Sequence, residues 1–539
     1  MLFNYAGQNS IQRMGAMKKA SLFLMLLLVV NAIMLTSENL VKAETPIIYV
    51  DDSNITGPWN GTLEQPYKNI SAALTQASNG YTIYVFNGTY EENIIVNKTV
   101  YLIGESKYST IIDGRRLGTG ISISANGVSV SGFTIRNSGT YPLCGILVDN
   151  SAENIITNNI ITSNSEGVRL FRANNNMIVD NIFVDNGDSI SLYSSSNNQI
   201  SANVIRQSKN NGIFLYSSGN NQILRNAILN GQIAGISLPD SRHNLIHGNT
   251  ISENAVGISL LLFSTNNTFY HNNFDNADEV SLLDDLPNVW DYGGEGNYWS
   301  DYSGQDLNND GIGDAHYIID SNNRDRYPLM GMYHEFDLVL EKKKHLVSII
   351  SNSTVSDLEF EIGGETGNKI IRFNVSGIIT GSSGFSRVMI PVELMEGPYI
   401  VLLDSREIVP SLLDISNEVN AYLYFTYTNN YTVSVISSKT LLLYYELLAK
   451  YLEITGYLSG LNSTYYDLLG NYSSLSEILA ALNMSYQKHL SEYSEQAQNI
   501  RNLIYIFAST TAVLLIATVY LSKNVYEGKT YKNKKVEER

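Results

Sequence analysis

Residues 154–203 read NIITNNIITSNSEGVRLFRANNNMIVDNIFVDNGDSISLYSSSNNQISAN, and this stretch decides the fold because it repeats. An Asn opens each short apolar run: Asn154, Asn176, Asn198, Asn221, Asn244 and Asn267, with gaps of 22, 22, 23, 23 and 23 residues. A second column follows five residues behind, at Asn159, Asn181, Asn203, Asn226, Asn249 and Asn272. A third column starts the next run: Gly145, Gly167, Ser189, Gly212, Gly235 and Gly257. A fixed period in the twenties marks a solenoid. No unit holds a helix-length segment; each is strand-sized, rich in Ile and Val, and broken by Asn and Gly. The period therefore predicts a right-handed parallel β-helix whose coils stack at about 4.8 Å. Ile213, Leu215, Ile236 and Leu238 point inward by the two-residue period of a strand. Asn suits the corners because it tolerates the left-handed region, bonds its own backbone, and can bond coil to coil.

The rest of the chain reads outward from this core. Residues 44–118 form an N-terminal cap and first coils, with a short helix from Ile70 to Ala77 capped by Asn69 over the open end. Regular coils fill 119–274, and 275–333 break the period as a C-terminal cap. Residues 334–440 alternate polar and apolar side chains between turns, the pattern of a β-sandwich. From Tyr444 to Ile500 Tyr and Leu recur every seven residues, which reads as a helical stalk over 441–502 that self-associates through an a/d seam. The apolar run 503–521 is long enough for a transmembrane helix, and the Lys-rich 522–539 would follow it as a basic cytoplasmic tail. Residues 1–43 read as a signal peptide cleaved after Ala43. The expected class is all-β: β-helix, sandwich, stalk and C-terminal spanning helix, anchored in the cell membrane with the large body outside.

A formal charge of −17 and a pI near 4.9 argue against nucleic acid as a partner. Cys144 has no second Cys to pair with and reads as a buried apolar thiol.

The opening IYVDDSNITGPWNGTLEQPYKNI, the coils, and above all Gly296-Asn297-Tyr298-Trp299-Ser300-Asp301-Tyr302 followed by Asp325-Arg326-Tyr327-Pro328-Leu329 resemble archaeal NosD-like surface proteins with PbH1-type repeats. The resemblance covers roughly residues 46–333. It implies the pectin-lyase-like fold, a class that includes polysaccharide-active enzymes and accessory proteins of copper-site assembly. Fold alone passes on neither activity.

Asp306, Asn308, Asp310, Ile312 and Asp314, with Gly311 for the sharp turn, copy the start of an EF-hand loop and point to structural Ca²⁺ that pins the cap, although the twelfth position is Tyr317 and no helices flank it. Copper needs His, Met or Cys in concert, yet no two His share a column. Polysaccharide cleavage needs paired carboxylates, and no Asp stacks on Asp. What remains is an aromatic column, Phe171, Tyr193 and Tyr216, beside Phe214, with Trp290 and Trp299 in the cap. These six are the candidate glycan-binding residues. The expected function is therefore a surface binding or scaffold protein contacting a glycan or envelope proteins; a lyase or hydrolase and a copper accessory role are the alternatives.

Overall fold

A computed structural model describes residues 45–364, 367–377, 383–437, 443, 447–448, 450, 477–484, 509–520 and 522. The repeat forms the expected solenoid: three parallel sheets of ten, nine and ten strands, each coil giving one short strand to each sheet. Through the regular coils the register steps by one repeat, as in Ile156↔Ile178, Ile178↔Ile200 and Ile200↔Ile223. Inward side chains stack in columns. Ile213, Leu215, Ile236 and Leu238 are all fully buried, as the alternation predicts.

The corners divide the labour expected of Asn. The left-handed backbone falls on the residue before each ladder Asn: Asn175, Asn197, Asn220, His243 and Asn266 in one corner, Asn158, Asp180, Ala202, Arg225 and His271 in another. The Asn that follows is buried and turns its amide inward. Asn154 donates from its backbone N (2.9 Å) and Nδ2 (3.0 Å) to Asn176 Oδ1, and Asn176, Asn198, Asn221, Asn244 and Asn267 repeat the pattern toward the C-terminus. Every bond in the ladder runs the same way, so each amide polarises the next.

All three ladders end on a carboxylate. The first passes through Asn288 to Asn323, which Asp320 holds. The second runs from Asn272 through Asn297 to Asp325, and the third from Asn254 through Asn276 to Glu279. A chain of donors pointing one way needs an acceptor at its end, and a carboxylate offers two oxygens for it. The solenoid thus continues past Phe274: Asp278–Leu282 joins the nine-stranded sheet and Tyr298–Trp299 the third.

Both ends are closed. The helix Ile70–Gln76 covers the first coil, but Asn69 makes no side-chain cap bond. Glu92 from the coil below accepts the Ile70 and Ser71 N–H groups at 2.8 and 2.9 Å, and Lys98 Nζ reaches the carbonyls of Leu74, Thr75 and Ala77. Side chains of the matching sign sit at each helix end. Glu92→Ala is therefore expected to destabilise this end by about 1–2 kcal/mol, read as faster hydrogen exchange at Ile70 and Ser71; unchanged exchange there would refute the assignment.

At the far end Trp290 stacks on Phe269 at 4.3 Å, Trp299 on Phe274 at 4.5 Å, and Tyr317 on Trp299 at 4.2 Å. Residues 332–437 form two five-stranded antiparallel sheets with a core of their own, including Val347, Ile371, Phe373, Val388 and Val435.

Two expectations about the C-terminal region are corrected. Of 503–521, residues 509–520 are described, as helix. No helix among the described residues is long and apolar enough to cross a membrane. The spanning helix, the membrane anchor and the single-pass placement drawn from it are withdrawn. The stalk over 441–502 lies largely outside the described residues; of it 443, 447–448, 450 and 477–484 are described, as helix, and oligomerisation through a coiled-coil seam is withdrawn with it. The signal peptide and basic tail lie outside the described residues, Ser522 apart.

Candidate functional site

Three consecutive strands of the nine-stranded sheet, Glu166–Phe171, Asp188–Tyr193 and Asn211–Tyr216, build an aromatic face. The pairing puts Phe171 beside Tyr193 and Tyr193 beside Tyr216, with Arg169, Ser191 and Phe214 in the adjacent outward column. Tyr193 lies 5.7 Å from Phe214 and 6.4 Å from Tyr216 between ring centroids. Phe171 and Tyr216 are exposed; Tyr193 and Phe214 are half-buried. Four of the six glycan candidates therefore share one surface.

Trp290 and Trp299 do not join them. Each is 1 % exposed, because each stacks on the Phe that ends an interior, largely Ile column, and the indole N–H groups are used by Asn323 and Asp325. Their assignment as glycan contacts is corrected: they close the core.

Beneath the aromatic face lies an ion pair. A Cβ on Gly167 would fall 2.4 Å from the Ser189 carbonyl oxygen and against Phe183 and Ile161 of the interior, and the preceding Glu166 lies beside Arg169. Glu166 Oε2 accepts from Arg169 Nε at 2.5 Å and Ser191 Oγ at 3.0 Å, and Oε1 accepts from the Tyr193 hydroxyl at 3.2 Å. Arg169 donates to the Pro142 carbonyl at 2.9 Å, and its guanidinium lies 4.7 and 5.0 Å from the Tyr141 and Tyr193 rings. Its Nη2 is buried without a partner in the protein. Burial opposes the Arg169 charge, but Glu166 outweighs it and the guanidinium pKa rises. Burial, then the Glu166 charge, raises the Tyr193 phenol. Cys144, fully buried close by, is pushed up to about 12, first by burial.

Asp188 stands one coil from Glu166 in the same column and accepts both Asn211 N and Nδ2. Burial raises its pKa, and the Glu166 charge adds to the rise. The sequence reading missed this pair because it looked for Asp over Asp. The residue before each Gly/Ser of the third column runs Glu166, Asp188, Asn211, and that order was the available signal.

The Ca²⁺ expectation is corrected in its geometry. Gly311 does make the sharp turn, at φ 82°. The carboxylates, however, serve their own loop: Asp306 accepts Asp310 N and Gly311 N, Asp310 accepts Ile312 N, and Asp314 accepts Leu307 N. Asn308 donates to Asp310 at 3.0 Å. No group of three or more His, Cys, Asp or Glu among the described residues is placed to hold a metal ion. An acidic turn closed by backbone bonds accounts for the pattern.

His247 and His271 do meet, with ring centroids 5.2 Å apart, though their Cα atoms are not register partners. They lie at the joint with the antiparallel unit. His271 Nε2 is 2.7 Å from Glu295, whose other oxygen takes Arg387 Nη2 at 2.6 Å; His247 Nε2 is 3.4 Å from Glu335, which Arg225 Nε holds at 2.9 Å. Tyr333 stacks on His271 at 3.9 Å and exchanges two bonds with the Asn273 amide. Each half of the molecule thus gives an Arg to an acid of the other.

The comparisons agree with the repeat. Residues 91–304 match the family model described as "Periplasmic copper-binding protein (NosD)". Two curated proteins, each called "Probable ABC transporter binding protein NosD", are similar over a short stretch. The one from Stutzerimonas stutzeri is 39 % identical over 71 residues, 13 % of this chain and 16 % of its own. The one from Pseudomonas aeruginosa is 38 % identical over 72 residues, 13 % and 17 %. A solved structure, ORF18 of Geobacillus virus E2, is 12 % identical at a TM-score of 0.37, covering 64 % of this chain and 73 % of that one. Both curated relatives are bacterial, which corrects the archaeal expectation. The chain spans about a sixth of their length, and over residues 91–304 its parallel β-helix is similar to the NosD model.

Proposed function

We propose that this chain is a NosD-like binding and scaffold protein whose working surface is the outer face of the nine-stranded sheet, and that the ligand there is a glycan. The observation behind this reading is the register of Phe171, Tyr193 and Tyr216 on successive coils over the buried Glu166–Arg169 pair. Flat rings at one-coil intervals stack on sugar faces, and the ion pair below fixes Tyr193 without leaving a net charge on the surface. The name of the two relatives, an ABC transporter binding protein, supports binding over catalysis.

A lyase or hydrolase is the second reading, favoured by Glu166 and Asp188 in one column. Against it, Glu166 is only 2 % exposed and both its oxygens are engaged. A copper role has less support: each of the facing His247 and His271 is occupied by a Glu.

The test is a glycan array with the full chain, followed by calorimetric titration of the best binder. Phe171→Ala and Tyr216→Ala are each expected to weaken binding roughly tenfold. Affinity unmoved by both would remove the aromatic face from the proposal, and new reducing or unsaturated ends would favour the enzyme.

A further inference from the structure

The nine-stranded sheet ends each coil on one corner residue with left-handed backbone. That residue is Asn150, Arg172, Ser194, Ser217 and Asp240 in successive coils, polar every time. In the next coil it is Leu262, φ 50° and 45 % exposed. A second left-handed residue follows, Phe263, φ 65° and 62 % exposed.

Phe263 is an insertion. Pro239 pairs with Leu261, 22 residues on, whereas Ser241 N donates to Ser264 Oγ, 23 residues on. The extra residue is pushed outward, and Asp284 accepts its N–H at 2.9 Å. Leu283, one coil further, is 61 % exposed. A bulky side chain in the left-handed region is strained, and strain kept at an exposed apolar tip points to use.

The surroundings say of what kind. Residues 243–323 contain no Lys or Arg at all. Asp284 and Asp285 follow Leu283 directly, and Asp240 precedes the tip by one coil. Arg242, the nearest cation in sequence, lies 3.6 Å from Asp240.

We propose that Leu262, Phe263 and Leu283 form a docking tip for a cationic amphipathic polypeptide segment, apolar side chains on the tip and Lys or Arg against Asp240, Asp284 and Asp285. This contact is separate from the aromatic face and does not depend on it.

The probe is a synthetic amphipathic peptide of Leu and Lys, titrated into the full chain at physiological salt, with a Leu and Glu peptide of the same length beside it. The double variant Leu262→Asn/Phe263→Asn keeps every charge and places in both left-handed positions a residue that accepts them. It should hold or raise the melting temperature while weakening the Leu/Lys peptide about tenfold. Asp284→Asn/Asp285→Asn should weaken it as well and steepen nothing in salt. Equal affinity for wild type and the Leu262/Phe263 variant, equal binding of the Leu/Glu peptide, or no binding by the wild type would each overturn the proposal.

Discussion

Asp325→Leu is expected to unravel the C-terminal end of the solenoid. Asp325 is fully buried and accepts Asn297 N at 2.7 Å, Trp299 Nε1 at 2.9 Å and Tyr327 N at 3.0 Å, with Asn297 Nδ2 at 3.3 Å. It is the acceptor at the end of a ladder that begins at Asn159. Leu leaves those donors buried and unpaired at about 1–3 kcal/mol each, so a loss of roughly 4 kcal/mol or more is expected. Space adds to the effect: a Cβ on Gly296 would fall 1.9 Å from Asp325 Oδ1, so the local backbone is built around the carboxylate.

Asp325→Asn separates charge from hydrogen bonding, because it keeps an oxygen for Asn297 and Trp299. Burial raises the Asp325 pKa to about 6 despite its donors. A raised carboxylate pKa means a contribution fully present below the unfolded value near 3.9 and lost as pH rises through about 6. Ionisation of Asp325 thus costs about 3 kcal/mol between those limits. The melting-temperature difference between Asp325→Asn and wild type should shift in favour of the variant from pH 4 to pH 7. A difference constant with pH would contradict the buried ionised carboxylate.

Acid is expected to loosen the joint between the solenoid and the antiparallel unit. Burial lowers His334 to about 4 and lowers His271, where Glu295 only partly offsets it. A His held neutral in the fold contributes stability above its unfolded pKa near 6.5 that is lost as pH falls toward the folded value; for His334 that is about 3 kcal/mol. Glu335 and Glu295 act in the same direction at lower pH. Burial would raise both, but His247 and Arg225 hold Glu335 down, and His271 and Arg387 hold Glu295 down. Their contributions are present above the unfolded value near 4.3 and lost as pH falls through the folded ones. Hydrogen exchange at Met332–Leu340 should accelerate from pH 7 to pH 4, after correction for intrinsic rates, while Ile213 and Ile236 stay protected. Arg387→Met, which leaves Glu295 buried with His271 alone, should bring on the same change at neutral pH at a cost of about 3 kcal/mol. A joint whose exchange is flat over that range would show that packing of Ile312, Leu329, Tyr333 and Phe385 holds it unaided.

The glycan candidates show where reading stopped. The Phe171, Tyr193 and Tyr216 column followed from counting, because a parallel register carries each residue to the next by one repeat. The same counting would have paired Glu166 with Asp188 had the column before Gly167 been followed. Trp290 and Trp299 lie beyond the last regular unit, where nothing in the sequence says which way a side chain points, and composition alone suggested a surface. The EF-hand-like spacing has two readings for a related reason: Asp-rich turns and cation loops use the same residues, and here the carboxylates accept backbone N–H groups of their own loop.

The sequence by itself determined the solenoid, its register and its ladders. Coil-to-coil hydrogen bonding asks for the same residue at the same corner in every turn, and a demand repeated at fixed spacing is visible as a period. Only the tertiary structure decided where the ladders end, which aromatics stay outside and how the two halves join. Asp325 meets Asn297 from 28 residues away and Arg387 meets Glu295 from 92. Each of those contacts occurs once, so no repetition in the chain announces it.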